Sequence, residues 1–300
     1  MKIQHVFIIT IIIAFVVSLL CVSFFPSIQD FMEYNTLWNG VRHSLNDLNA
    51  STIDSSHELA NIDNNNILIC IPYLQYNNSE LDGLKTFVDN GGTLMLLDDY
   101  GYGNSVLQYF DLDCRFSGAP LLDPLFCYKN QWFPEVTDFA PSVDKGVKEI
   151  ILNHATALTN TGKMETLAWS SSSSFLDQNG NESWNKGEPQ GPLPVAARQK
   201  LGKGEIILVS DPSIVINSML SRGDNSQFLK NLTGADITSG QILLDISHLV
   251  KKPMDITKTK LTQIKNILSQ PYLVLAVILL LFILTSFYMS RIGGSIERKL

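Results

Sequence analysis

The sequence predicts an α/β fold, a doubly wound and mostly parallel sheet, flanked by one transmembrane helix at each end. Three observations predict it. Charge-free apolar runs bracket the chain, ILICI (67–71) and TLMLL (93–97) flank an amphipathic stretch, and a similar strand-and-turn unit recurs at EIILVS (205–210). Continuous apolar runs suit strands buried on both faces, and strand, helix, strand with short joins makes a parallel pair with a right-handed crossover.

The elements follow in order. Residues 34–50 read as a loop and short helix, then a weak strand at Ser51–Ile53, and DNNN (63–66) is a polar turn. Pro72 ends the first apolar strand. Ser79 can cap a helix through Asp89 that places Leu81, Leu84, Phe87 and Val88 on one face. Gly91 and Gly92 stop it, and the next strand ends at Asp98 and Asp99. After the turn Gly202-Lys203-Gly204 and strand 205–210, Asp211-Pro212-Ser213 opens a helix with Pro in its first turn. Asp224 and Gln227 fit a capping-box-like start for a helix ending near Leu232, and QILLD (241–245) closes the sheet. The middle, 116–194, is loop-rich, with strands expected at 147–152, 166–170 and 194–198.

The terminal runs are VFIITIIIAFVVSLLCVSFF (6–25) and YLVLAVILLLFILTSFYM (272–289), each long enough to cross roughly 30 Å of hydrocarbon at about 1.5 Å per residue. A cleaved signal peptide competes for the first run. Its length and the lack of a small-x-small site after it favour an uncleaved anchor. The resulting plan is an anchor at 1–26, an α/β ectodomain at 27–250, a juxtamembrane linker or helix at 251–271, a second span at 272–290 and a basic tail at 291–300. Lys2, Arg291, Arg298 and Lys299 place both termini in the cytoplasm and the middle outside, whereas the Lys-rich stretch 251–265 argues the other way. Sequons at Asn49, Asn77, Asn181 and Asn231 agree with an exported domain.

A net charge of −7 with no basic stripe excludes a nucleic-acid binder. Four cysteines are too few for a disulfide scaffold; Cys114 and Cys127 are either a pair or two buried thiols. The five histidines show no zinc spacing.

At FVDNGGTLMLLDD (87–99), LGKGEIILVSDPSIVINSML (201–220) and DNSQFLKNL (224–232), with YNTLWNG (34–40) and LLDISHL (243–249), the chain resembles the DUF4350 family. The resemblance implies a flavodoxin-like sheet, in a membrane-anchored relative of the class I glutamine amidotransferase-like fold and of GldG-type accessory proteins. It implies no settled activity, and an envelope assembly with MoxR-type ATPases and DUF58 proteins as partners.

Amidotransferase chemistry needs a Cys nucleophile on a strand-to-helix elbow with a His-Glu pair. Here DDYGYG (98–103) follows the strand without a thiol, and Cys70 lies inside one. Asp98 and Asp99 stand at the carboxyl end of a strand, where α/β folds keep their sites; capping is the blander role, as it is for Asp211. Asp245 and His248 form a spacing in which a carboxylate orients an imidazole for proton transfer or metal binding, or simply holds structure. The sequence therefore points to a non-catalytic binding or scaffold domain, with an envelope hydrolase on Asp98, Asp99 and His248 as the alternative.

DQNGNESWNKGE (177–188) places Asp177, Asn179, Asn181, Ser183, Asn185 and Glu188 at positions 1, 3, 5, 7, 9 and 12 of a calcium loop. Hard oxygen donors at this spacing favour a structural Ca²⁺. Glu182 stands at position 6, where an EF-hand has Gly, and the flanks do not read as EF-hand helices. The competing reading is a solvated Asn/Gly turn.

Overall fold

The computed structural model describes residues 3–25, 27–54, 65–234 and 240–268, together with Leu275 and Leu279. It divides into two units, residues 1–25 with 251–300, and residues 26–250. The second predicted span, 272–289, lies outside the described residues except for two helical leucines.

In the first unit, α1 (Ile3–Phe24) contains 19 residues, Val6–Phe24, with a mean hydropathy of 3.0 and is long and apolar enough to cross a membrane. Its hydroxyls are satisfied internally: Thr10, Ser18 and Ser23 donate to the carbonyls of Val6, Ala14 and Leu19 at 2.8–2.9 Å. That arrangement leaves each of these hydroxyl protons paired within the helix. The same unit holds a helix at Pro253–Leu268, with Asp255 in its first turn and Lys265 in its last, both favourable to the helix dipole.

The second unit is built on one eight-stranded sheet. Its strands are β1 (Ser51–Ile53), β2 (Ile67–Cys70), β3 (Thr93–Leu97), β4 (Asp138–Phe139), β5 (Glu165–Trp169), β6 (Pro194–Leu201), β7 (Gly204–Val209) and β8 (Ile242–Asp245). The spatial order is β1-β8-β2-β3-β7-β6-β5-β4. The first five in that order are parallel, and the last three alternate antiparallel. The expected mixed α/β class with a mostly parallel sheet is thus observed, with an antiparallel wing that periodicity did not announce. The wing begins because Gly202 at φ +57° lets β6 turn straight back into β7.

Alternate strand residues serve two cores. Ile67, Ile69, Met95, Leu97, Ile207 and Val209 face the side covered by α2 (Arg42–Asp47) and by a helix at Asn225–Thr233. Leu68, Cys70, Leu94, Leu96, Ile206 and Leu208 face α3 (Asn78–Asp89) and α4 (Gly103–Tyr109). Helices on both faces of a continuous apolar sheet are what the doubly wound reading requires.

Several local expectations are corrected. The cap of α3 is Asn77, not Ser79, because Glu80 then falls at the third helical position and closes a reciprocal capping box. The helix after Asp211 is only a 3-10 turn, Pro212–Val215, ended by extended Ile216. Asp224 makes no side-chain cap and instead accepts the Lys148 N–H at 2.7 Å. The strand expected over 147–152 shrinks to Ile150–Ile151.

Candidate functional site

The carboxyl ends of β3, β7 and β8 carry a set of buried carboxylates. Asp98 and Asp99 follow β3, Asp211 follows β7 and Asp245 ends β8; all four are buried. Asp98 accepts the N–H groups of Gly101 and Gly103 at 2.8 and 2.7 Å. A side chain at either glycine would meet that carboxylate at 2.6 Å, so the Gly-Tyr-Gly spacing exists to wrap the backbone around Asp98. Asp99 accepts the Tyr100 N–H at 2.6 Å, and Asp211 accepts from Ser213 and Asn153, both at 2.7 Å. Burial pushes the pKa of Asp98 to about 6, of Asp99 to about 6 and of Asp211 to about 8, with the Asp99 charge also raising Asp211. Burial and the same carboxylates push the Tyr73 and Tyr100 phenols up.

Asp245 and His248 belong to a different network. His248 Nδ1 lies 2.7 Å from Asp245, and Nε2 lies 3.3 Å from Glu80. Tyr76 donates to Asp245 at 2.9 Å and stacks on the imidazole with centroids 3.5 Å apart; Ser247 donates to the other Asp245 oxygen. Burial opposes the imidazolium, but the Asp245 and Glu80 carboxylates outweigh it and hold the His248 pKa above its ordinary value. Burial, reinforced by Asp245, pushes the Cys70 thiol well up, which makes it a poor nucleophile. The structure therefore brings Asp245 and His248 together and Asp98 beside Asp99, while both ring nitrogens of His248 are held by Asp245 and Glu80.

The loop 177–188 winds inward. Asp177 accepts the N–H groups of Gly180, Asn181 and Glu182 at 2.8, 3.1 and 2.9 Å. Glu188 accepts from Gln178 and Asn185 at 3.0 and 2.8 Å, closing the loop from its far end. Asn179 and Asn181 accept the N–H two residues ahead, from Asn181 and Ser183. Glu182 takes φ +59°, the left-handed conformation that Gly would hold at position 6. Among the described residues no group of three or more His, Cys, Asp or Glu side chains is gathered for a metal.

The profile of DUF4350, described as a domain of unknown function, matches residues 34–233. The chain belongs to the DUF4350 family. No curated protein matches it. Among solved structures, it is similar to the mmIFT52 N-terminal domain at 12% identity, covering 62% of this chain and 82% of that one, with a TM-score of 0.46. It is also similar to a β-galactosidase from Bacillus circulans sp. alkalophilus, at 14% identity over 57% of this chain and 22% of that one, TM-score 0.34. The exo-β-1,4-mannosidase Op5Man5 from Opitutaceae bacterium strain TAV5 matches at 14% identity, 56% and 23% coverage, TM-score 0.30. The chain spans less than a quarter of either glycosidase.

The DUF4350 match contains Asp98, Asp99, Asp211 and the 177–188 loop, whereas Asp245 and His248 lie beyond it. Sequence reading missed Glu80, Tyr76 and Ser247 as partners of His248. Glu80 lay inside the helix expected after Ser79, and its contact with His248 spans 168 positions and leaves no local signal. Cys114 and Cys127, whose pairing the sequence left open, are free thiols, the first of them buried.

Proposed function

We propose that this DUF4350 protein is a membrane-anchored, non-catalytic binding or scaffold component of an envelope complex, its α/β domain outside the cytoplasm between two spans. One observation carries the reading: the buried carboxylates and the imidazole at the carboxyl edge of the sheet are engaged in fixed hydrogen bonds. Asp98 and Asp211 are wrapped by backbone N–H groups, and His248 is held by carboxylates at both nitrogens. Where an amidotransferase-like scaffold needs a thiol on the elbow after β3, this chain has Asp98-Asp99. The apolar α1 supports an anchor, the apolar run 272–289 supports a second span, and the flanking Lys and Arg support cytoplasmic termini. MoxR-type ATPases and DUF58 proteins are the proposed partners. Affinity purification from native membranes, with protease protection of the central domain, tests the assembly and the sidedness. Recovery of no partner, or protection of the domain from outside protease in intact cells, defeats it.

The hydrolase reading draws on the raised pKa values of Asp98 and Asp99. It needs His248 to leave Asp245 and Glu80. Hydrolysis of a generic ester or glycoside substrate that is lost in both Asp98→Asn and His248→Gln would establish it.

We also propose that residues Asp177, Asn179, Asn181, Ser183, Asn185 and Glu188 hold a structural Ca²⁺. Supporting this, both end carboxylates turn inward and position 6 adopts the left-handed conformation. A native-state ligand at about 100 times its Kd stabilises by about 2.7 kcal/mol. The full chain in detergent should melt higher with millimolar Ca²⁺ than with chelator, and Asp177→Asn should abolish the difference. An unchanged melt in the parent chain rejects the ion.

A further inference from the structure

A cavity of about 460 Å³ lies apart from these groups, walled by Trp38, Tyr128, Phe133 and His154 and rimmed by Lys129 and Arg222. Four distant segments build it, and backbone hydrogen bonds fix each one. Ser218 donates to the Trp38 carbonyl at 2.9 Å, Tyr128 to Phe133 at 2.9 Å, and His154 to Trp132 at 2.9 Å. Asn153 donates its N–H to Asp211, which ties one wall to the end of β7. The walls are therefore set before any ligand arrives.

The rings form a continuous apolar surface. His154 stacks on Trp132 with centroids 4.6 Å apart, and Phe133 meets His154 edge-on at 6.1 Å and Tyr128 edge-on at 6.5 Å. Trp38 stands beside them 64% exposed, a large flat face left in water. Lys129 Nζ and Arg222 Cζ each lie 5.2 Å from the Tyr128 centroid. Among the described residues neither cation is paired with a carboxylate. Arg222 spends only its Nε–H, on the Ser218 carbonyl at 3.3 Å. In a chain of net charge −7, two uncompensated cations over an aromatic wall select for an anion at this spot.

The backbone adds an independent sign. Lys129 and His154 hold φ of +69° and +56°, the left-handed region that side chains disfavour, and both line this cavity. Such conformations are disfavoured for residues with a side chain and gather at ligand sites. Burial lowers the His154 pKa, which disfavours the imidazolium in the wall.

We propose that this cavity binds a small organic anion bearing a flat aromatic ring. The ring stacks among Trp38, Tyr128 and Phe133, and the carboxylate or sulfonate takes charge-assisted bonds from Arg222 and Lys129. A polyphosphate would exceed the two cations. The inference rests on the binding role proposed above and gives it a ligand class. Its test reads the cavity alone, so it fails or stands separately from the search for protein partners.

The test is isothermal titration of the full chain in lipid nanodiscs with 2-naphthoate, with empty nanodiscs as blank and the uncharged isostere 2-naphthamide as comparison. Saturable one-site binding of naphthoate is expected, with naphthamide at least about tenfold weaker, as the loss of one charge-assisted contact implies. Arg222→Met should weaken naphthoate about tenfold and leave naphthamide unchanged. Lys129→Asn keeps a residue that tolerates positive φ, removes the charge, and should weaken naphthoate severalfold. Trp38→Ala should weaken both compounds alike. Absence of saturable naphthoate binding, equal affinity for the two compounds, or parent-like naphthoate binding by both charge variants overturns the proposal. The two charge variants sit on different segments, so one that fails to fold leaves the other to decide.

Discussion

Two buried polar clusters stand at the same edge of the same sheet and solve the problem of burial in opposite ways. At β3 and β7, Asp98, Asp99 and Asp211 have no cation among their hydrogen-bond partners and are held by backbone N–H groups. At β8, Asp245 is paired with an imidazole that a second carboxylate, Glu80, also grips. The first cluster keeps its charge down by shifting carboxyl pKa values up, and the second keeps its charge by compensating it. Two clusters two or three strand positions apart can thus share burial and differ in what a proton does to them.

The paired cluster breaks hardest. Asp245→Ala removes the carboxylate beside His248, leaving the imidazole to Glu80 and the Ser247 hydroxyl, and takes away the acceptor of the Tyr76 hydroxyl and of the Ser247 N–H. Removing one partner of a buried pair costs about 3–5 kcal/mol. Chemical denaturation of the full chain in detergent should show a loss of that size. A loss under about 1 kcal/mol would mean that the network is ornamental.

The unpaired cluster is broken best by pH. Asp98, Asp99 and Asp211 all have folded pKa values above the ordinary 3.8, so the folded state binds their protons more tightly. Their contribution is fully present below that ordinary value and is lost as pH rises through about 6 and, for Asp211, about 8. His248, raised from 6.5, adds stability below its ordinary value that is lost above it, in an overlapping but higher window. The signs agree although the causes are opposite. Asp211→Asn separates them, since an amide cannot ionise but offers only one acceptor for two N–H donors. The variant should be about 1–3 kcal/mol less stable than the parent at pH 5, and the gap should narrow or reverse by pH 9. A gap constant across that range would show that Asp211 is ionised throughout.

How much of this was legible follows from the range of each signal. The apolar runs of β2, β3, β7 and β8, the helix α3 and the stop at Gly91-Gly92 are local, and the sequence displayed them. The antiparallel wing was not legible, because β4 is two residues long and too short for any period. In NNSE (77–80) each of the first three residues can cap, and only Glu80's return to the Asn77 N–H selects among them. Asp245 with His248 was legible as a spacing, being three residues apart, whereas Glu80 and Tyr76 reach the pair across the sheet. The proximity of Asp99 to Asp211 depends on β3 and β7 being neighbours in space, which periodicity does not state. The aromatic cavity draws on four segments, and no one of them resembles a site.

The smallest effect sharpens the comparison by strengthening its paired half. Gly83 lies in the middle of α3, the helix whose first turn delivers Glu80 to His248, and a Cβ there meets nothing within 4 Å. Glycine inside a helix loses more backbone entropy on folding than alanine, so Gly83→Ala should stabilise by about 0.5–1 kcal/mol. Since Glu80 is already fixed by the Asn77 N–H at 2.8 Å, the substitution should raise the melting temperature and leave the His248 titration seen by NMR unmoved. A shifted imidazole pKa would instead show that α3 moves in the parent protein and that the Glu80 contact is made only part of the time. In that case the two clusters would differ less in compensation than in rigidity, because Asp98 takes its bonds from the short turn 101–103 while His248 would depend on a helix free to retreat.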